Sequence, residues 1–358
     1  MRGRALVTGG AGFIGTNVAE RLLASGCEVV VLDDLSRPGV TGNLNRLQGH
    51  PSKGLTVEIG DVTDRLTVRR ALAGVDRVFH FAAQVAVTSS VTDPMHDFTV
   101  NLTGTMNLLE ELRRLESPPS LLFTSTNKVY GDLEDVEVRK RGERYEPADR
   151  TWRAHGIGEQ RPLQFCSPYG CSKGGADQYV LDYAKSYGLR ALVFRMSCIY
   201  GPHQCGNEDQ GWVAHFLMQA MAGEPITLYG DGRQVRDILF VDDLVDAMLL
   251  ALDDVDRLKG AAFNIGGGPA STVSLLELLD LITGLEEAPP QVGIGPWRVG
   301  DQRWYVSDTR RFSAATGWKP RVGVAEGVHR LHTWLSAHHP ELRRAERSAD
   351  LLTVAEAR

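Results

Sequence analysis

Cysteine is scarce and unpaired. The five cysteines among 358 residues, Cys27, Cys166, Cys171, Cys198 and Cys205, are odd in number and include no Cys-x-x-Cys pair, which excludes a disulfide framework and a cysteine zinc site. His329 and His332 lie three apart on a helical stretch, but no third ligand follows nearby, so no metal is expected. Long apolar runs are missing too. Nothing approaches the roughly 20 residues that cross a bilayer, and the opening MRGRALVTGG has a short apolar stretch that reads as a strand and not as a signal peptide. Basic blocks are absent: Lys plus Arg is 39 against 45 Asp plus Glu, a net charge of −6. A nucleic-acid or membrane partner is therefore not expected, and an anionic substrate must be held by a few placed arginines. The expected location is the cytoplasm. What remains, 42% hydrophobic and 23% charged residues with 38 glycines, is an ordinary globular chain rich in tight turns, long enough for one domain or two.

From residue 3 to about 130, β-branched runs (RALVTG, EVVVLDD, TVEIGDV, RVFHFAA, SLLFTST) alternate with helical patterns such as NVAERLLASG and TMNLLEELRRL. Strands alternating with helices imply right-handed crossovers and a parallel, doubly wound α/β sheet of the Rossmann kind. A helix near 170–187 and the strand ALVFRMS, the sixth or seventh of the sheet, continue the rhythm to about residue 200. The expected division is a dinucleotide-binding domain over 1–200 and a smaller mixed lobe over 201–340, with a segment near 236–265 returning to the first lobe. Residues 132–167 form a polar insertion without periodicity, either a lid or a solvated loop. Residues 341–358 read as a polar tail.

TGGAGFIG follows the first strand and opens a helix. In that context Gly9 permits the turn, Gly12 lets the backbone approach a pyrophosphate and Gly15 lets helix and strand pack, while the helix N-terminus offers N–H donors to phosphates. Phe13 and Ile14 fall inside this loop. The second strand ends in Asp33, eighteen residues after Gly15, where a carboxylate accepts hydrogen bonds from ribose hydroxyls and disfavours a 2′-phosphate. NAD is thus the expected cofactor. Asp34, Ser36 and Arg37 follow, Arg37 keeping an NADP alternative open. Asp61 and Val62, at the end of the third strand, read equally as adenine contacts or as a helix cap and a core valine.

Tyr169 and Lys173 in SPYGCSK are one helical turn apart and share a face. A tyrosine with an ordinary pKa near ~10 becomes a useful base only if positive charge favours its phenolate. Thr126, at the end of SLLFTST, stands where a hydroxyl can bridge substrate and phenol. With these three signals the chain resembles the extended short-chain dehydrogenase/reductase family of nucleotide-sugar epimerases and dehydratases, over about residues 3–335. The resemblance implies tightly held NAD and a catalytic triad of Thr126, Tyr169 and Lys173. It places Phe81, Ala82, Ala83, Gln84, Asn101, Thr124 and Met196 with Tyr169 and Lys173 along the cofactor. It also implies a homodimer formed through helices near 102–116 and 170–187.

Dehydratases of that family carry an Asp-Glu pair directly after the threonine. Asn127 and Lys128 stand there instead, and neither can do that acid/base work, which argues against 4,6-dehydration. A narrower resemblance, carried by AAQVAVTSSV, STNKVYGDLE, SPYGCSKGGADQYVLDYAKSYGL, EDQGWVAHF and GRQVRDIL, is to the CDP-tyvelose (CDP-paratose) 2-epimerases. It implies inversion of carbon 2 of a nucleotide-diphosphate hexose by transient oxidation to a keto sugar. A sugar 4-epimerase is the alternative. A net oxidoreductase and a non-catalytic NAD-binding regulator are further rivals, the last disfavoured by an intact triad. The resemblance puts Val85, Thr126, Asn127, Lys128, Gln210, Val213, Arg236 and Arg303 on the substrate side. Arg236 and Arg303 can form a diphosphate clamp or make surface ion pairs, and Trp212 can pack on a base or fill the core. Cys198 occupies the place of an asparagine found near the substrate phosphates in many relatives. A strand-end thiol beside apolar residues is not expected to be a nucleophile.

Overall fold

The computed structural model of the chain describes residues 3–286, 288–298 and 300–343. Among the described residues fifteen strands follow one another: β1 (Arg4–Thr8), β2 (Glu28–Asp33), β3 (Leu55–Ile59), β4 (Arg77–His80), β5 (Ser120–Thr126), β6 (Val138–Arg141), β7 (Arg144–Pro147), β8 (Ala191–Met196), β9 (Cys198–Tyr200), β10 (Ile226–Tyr229), β11 (Val235–Phe240), β12 (Ala262–Ile265), β13 (Thr272–Ser274), β14 (Val292–Gly295) and β15 (Trp304–Tyr305). Seven of them form one parallel sheet in the order β12-β8-β5-β4-β1-β2-β3. The doubly wound architecture read from the alternation is the one present, with β8 sixth in chain order within the sheet.

Side chains alternate between the two faces of each strand. Ala5 and Val7 of β1 join Val18 and Leu22 of the helix Phe13–Ala24 and Leu244 and Met248 of the helix Val241–Asp253. Leu6 turns the other way, onto Leu108 and Leu112 of the helix Gly104–Arg113 and Val180 of the helix Ser167–Ser186. Burying each such Leu or Val contributes about 1.5–3 kcal/mol, and both faces of the sheet are covered. This explains why its strands read as near-continuous apolar runs.

Beyond β8 the chain enters a mixed sheet centred on β11, whose first half pairs with β13 and β15 and whose second half pairs with β9. It then returns: the helix Val241–Asp253 lies against Phe13–Ala24, and β12 pairs with β8 in the main sheet. Segment 132–167, which shows no periodicity in sequence, holds the β6–β7 hairpin and a short helix, Arg150–His155. Val136 and Ile157 of this segment are buried with Val129, Tyr130, Trp304, Tyr305 and Val306, and the Tyr145 phenol bonds Asp231. Its apolar anchors are too widely spaced for a periodic pattern to show. The tail expected over 341–358 lies outside the described residues from position 344 onward. Among the described residues no helix is long and apolar enough to cross a membrane. His332, one of the paired histidines of the sequence, bonds the Glu286 carboxylate at 2.7 Å.

Candidate active site

The strand order reverses between β1 and β4, and a crevice opens there beyond their C-terminal ends. Thr8 closes β1 and Gly9 turns with φ +66°; a Cβ on it would lie 2.7 Å from the Ala82 nitrogen. A Cβ on Gly15 would lie 2.2 Å from the Gly9 carbonyl oxygen, so the loop and the helix can meet only through glycine. The helix begins at Phe13 with Gly12 as its N-cap and no side-chain cap, which leaves first-turn N–H donors for an outside anion. Asp33 accepts the Ala11 N–H at 3.0 Å and the Leu35 N–H at 2.9 Å, fixing the turn on either side of the crevice, and burial raises its pKa. Asp34 accepts from the Ser36 N–H and hydroxyl in the exposed loop that follows, and Arg37 reaches across to Gln210. Strand β3 ends at Ile59, earlier than the sequence suggests, so Asp61 and Val62 lie in the next turn. Asp61 caps the Thr63 N–H, Val62 is a core residue, and the helix cap at this point is Asp64.

The nicotinamide side as read from sequence gathers around the ends of β4, β5 and β8. Phe81 to Val85 follow β4, the buried Thr124 hydroxyl bonds the His80 carbonyl, and Met196 lies opposite Thr126 in register. Asn101 lies in a π-helical turn, Thr99–Thr103, and accepts the Gln84 N–H while donating to Asp97 and Ser172. The Gln84 Oε1 and Ser125 Oγ atoms are buried without a partner among the described residues. A glycine cradle that no Cβ can enter, an uncapped helix N-terminus, an acidic strand end and orphaned polar atoms together fit a dinucleotide.

Thr126 and Tyr169 come together: the threonine hydroxyl, which donates to the Asn127 amide oxygen at 3.3 Å, is close enough to act on the phenol and favour its ionised form. Lys173, one turn further along Ser167–Ser186, is buried with its Nζ 4.3 Å from the centre of the Phe123 ring. Burial pushes the Tyr169 phenol up to about 12, Asp97 adds to the rise, and Thr126 and Arg37 oppose it. Burial also pushes Lys173 down to about 7 against Asp177 and Asp97. Desolvation outweighs the chain's own cations, and the nearby positive charge that opposes it comes from Arg37.

Behind the triad lie groups the sequence reading missed. Asp177, one turn past Lys173, forms a bidentate pair with Arg195 at 2.8 and 2.9 Å, and Arg195 also reaches the Tyr130 hydroxyl. Asp97 accepts the Ser172 hydroxyl at 2.5 Å. His80 sits between Thr8, at 2.6 Å from Nδ1, and Thr105, at 3.1 Å from Nε2. The Thr8 oxygen already accepts from the Phe81 and Ala82 N–H groups, and the Thr105 hydroxyl donates to the Asn101 carbonyl. That network is satisfied by a neutral ring accepting at Nδ1 and donating at Nε2. The available signal was periodicity in one case, since Tyr169, Lys173 and Asp177 share a helix face, and a polar residue in an apolar strand in the other.

On the substrate side, Asn127 donates to Gln302 at 3.2 Å and Lys128 to the Gly300 carbonyl at 3.0 Å. Arg236 is buried and paired with Asp301 at 2.6 Å. Arg303 is exposed, its guanidinium 5.6 Å from the Trp297 ring and 5.8 Å from the Tyr145 ring, so the two arginines sit in unlike surroundings. Burial holds the Cys198 thiol up against Arg236 and Trp212, which disfavours its reactive thiolate form. Gln210 bonds Arg37 and so faces the crevice. Val213 is 2% exposed in the core that the helix Trp212–Ala222 forms with β10 and β11, a packing position and not an open wall. Trp212 stacks edge-on against Phe216.

A Rossmann sheet with a Thr-Tyr-Lys set at the mouth of a dinucleotide crevice defines an enzyme that moves hydrogen with a bound nicotinamide. The family model of the NAD dependent epimerase/dehydratase family matches residues 5–266, and the chain belongs to that family. It is 40% identical over 339 residues to the CDP-paratose 2-epimerase of Salmonella typhi, covering 93% of this chain and 99% of that protein. It is 35% identical over 325 residues to the UDP-glucose 4-epimerase of Mycolicibacterium smegmatis, covering 91% and 96% respectively. The solved UDP-glucose 4-epimerase of Thermus thermophilus in complex with NAD superposes with a TM-score of 0.76 at 35% identity, covering 94% of this chain and 99% of that one. The cofactor expected from Asp33 and the glycine loop agrees with that family.

Proposed function

We propose that this protein is an NAD-dependent epimerase that inverts carbon 2 of a nucleotide-diphosphate hexose of the CDP-paratose/CDP-tyvelose type. The observation that carries the reading is the convergence of Thr126, at the C-terminal end of β5, with Tyr169 and Lys173, one turn apart on the helix Ser167–Ser186. The similarity to the Salmonella typhi 2-epimerase over nearly the whole of both proteins favours carbon 2 over carbon 4. Asn127 and Lys128, tied to Gln302 and to the Gly300 carbonyl, offer no carboxylic acid for dehydration.

NAD, when bound, supplies a hydride acceptor that can return the hydride, and in its oxidised form a positive charge. Gly9, Gly12 and Gly15 would admit its pyrophosphate with the Phe13 and Ile14 N–H groups, and Asp33 would take its ribose hydroxyls through lone pairs not spent on Ala11 and Leu35. Thr126 orients the sugar hydroxyl. Tyr169 takes the hydroxyl proton and later gives it back, work that an uncharged phenol held near 12 cannot do without added positive potential. Lys173 stands one turn away to supply part of it.

We assign residues 1–200 to the cofactor and 201–340 to the nucleotide sugar, with β12 returning to the first part and segment 132–167 covering the sugar. A cytoplasmic homodimer is part of the same reading. Exposed Phe98, Tyr179 and Tyr187, around the helices Gly104–Arg113 and Ser167–Ser186, support the expected dimer face. The test is product analysis by NMR after incubation with CDP-, UDP- and GDP-hexoses. Conversion at carbon 2 of a CDP-hexose is expected; conversion at carbon 4, or steady accumulation of NADH, would replace the reading.

A further inference from the structure

We propose that Lys128 is a phosphate ligand: its ammonium, beside Arg236, binds the diphosphate of the nucleotide sugar. The inference deepens the function proposed above and rests on its substrate class. Lys128 occupies the second position of the 3-10 turn Asn127–Tyr130, directly after β5, and its backbone N–H bonds the Thr126 hydroxyl oxygen at 3.2 Å. The turn thereby fixes the Lys128 stem relative to the triad threonine. Its Nζ donates to the Gly300 carbonyl at 3.0 Å, and an ammonium has three donors, so two remain without a partner among the described residues.

The charges around it do not balance. Arg236, Asp301, Cys198 and Cys166 are the groups that act on Lys128 electrostatically. Arg236 spends one nitrogen on Asp301 at 2.6 Å and another on the Val235 carbonyl at 2.8 Å. Two cations, the half-buried Lys128 and the buried Arg236, thus face a single carboxylate, with two thiols as the other neighbours. Asp237 is held by the Ser197 hydroxyl and the Gly268 N–H and is not among the groups that act on Lys128. An uncompensated buried cation is costly unless an anion arrives to neutralise it. Burial and Arg236 accordingly lower the Lys128 pKa, a cost that an incoming phosphate would reverse. A neutral hexose would leave the imbalance in place; a diphosphate removes it. The residue that stands where a dehydratase has an acid would then anchor the substrate at its diphosphate, outside the ring that must turn over.

The experiment compares wild type, Lys128→Met and Lys128→Arg as NAD-loaded protein, titrated calorimetrically with CDP and with CMP, which lacks the second phosphoryl group. Loss of a charge-assisted hydrogen bond should weaken CDP binding to Lys128→Met about 10- to 100-fold, with a smaller effect on CMP. Lys128→Arg should recover most of the loss, and in turnover Lys128→Met should raise KM far more than it lowers kcat. Unchanged CDP affinity would overturn the proposal, whether kcat falls, which would put Lys128 on the sugar ring, or only the melting temperature falls, which would make it a strut for Gly300. Failure of the function reading looks different. Wild type that binds CDP with the Lys128 dependence but makes no 2-epimer refutes the reaction and keeps the phosphate site. If UDP or GDP binds in place of CDP, the same comparison is made with that nucleotide; if wild type binds none of the three, both ideas fall.

Discussion

Acidification should destabilise this protein through His80, and the loss can be worked from its surroundings. The ring is 1% exposed, holds Thr8 at one nitrogen and Thr105 at the other, and burial with Lys173 nearby depresses its pKa from 6.5 to about 3. In the folded chain it therefore stays neutral down to about pH 3, whereas in the unfolded chain it takes up a proton below about pH 6.5. The unfolded state binds more protons throughout that window, so this stabilisation is complete above pH 6.5 and is lost as pH falls toward 3. At about 1.4 kcal/mol per pH unit, His80 alone accounts for roughly 2 kcal/mol between pH 7 and pH 5. Urea unfolding of wild type and of His80→Gln, which cannot titrate, isolates the effect: the gap between their stabilities should narrow by about that amount over the interval. Parallel curves would refute the reasoning, as would an imidazole NMR titration of the folded protein with a midpoint near 6.

Gly15→Ala places a methyl group 2.2 Å from the Gly9 carbonyl, and the purified variant should carry much less NAD by absorbance and extraction than wild type. Asp177→Asn breaks the buried pair with Arg195 and should cost about 3–5 kcal/mol in urea unfolding, while Asp177→Leu combined with Arg195→Met should recover part of that loss because no charge is stranded. Tyr169→Phe should lower turnover by at least about 100-fold yet keep its NAD; loss of the cofactor from that variant would count against the assigned role.

Much of this was legible in the sequence because it is local. The strand-helix rhythm, the glycine loop and its acidic strand end, and the one-turn spacing of Tyr169 and Lys173 are encoded within short windows, and the fold places them together at one sheet edge. Hidden features depend on contacts between distant positions. His80 meets Thr8 and Thr105, Asp97 meets Ser172, and Lys128 meets Gly300 and Arg236 only after the sheet has formed. The electrostatic balance at Tyr169 has the same origin. Spacing reveals which charge is near but not how much water is excluded, and here exclusion of water dominates. Val213 was misread because a sequence window does not show which face of Trp212–Ala222 meets β10 and β11.

The most direct test of the central claim is to run the reaction on a CDP-hexose in deuterated water and read carbon 2 of the product by NMR. The account predicts inversion at carbon 2 with no deuterium incorporated there, because Tyr169 moves only the hydroxyl proton. Deuterium at carbon 2 of the inverted sugar would show that the carbon-bound hydrogen exchanges with solvent and would contradict it.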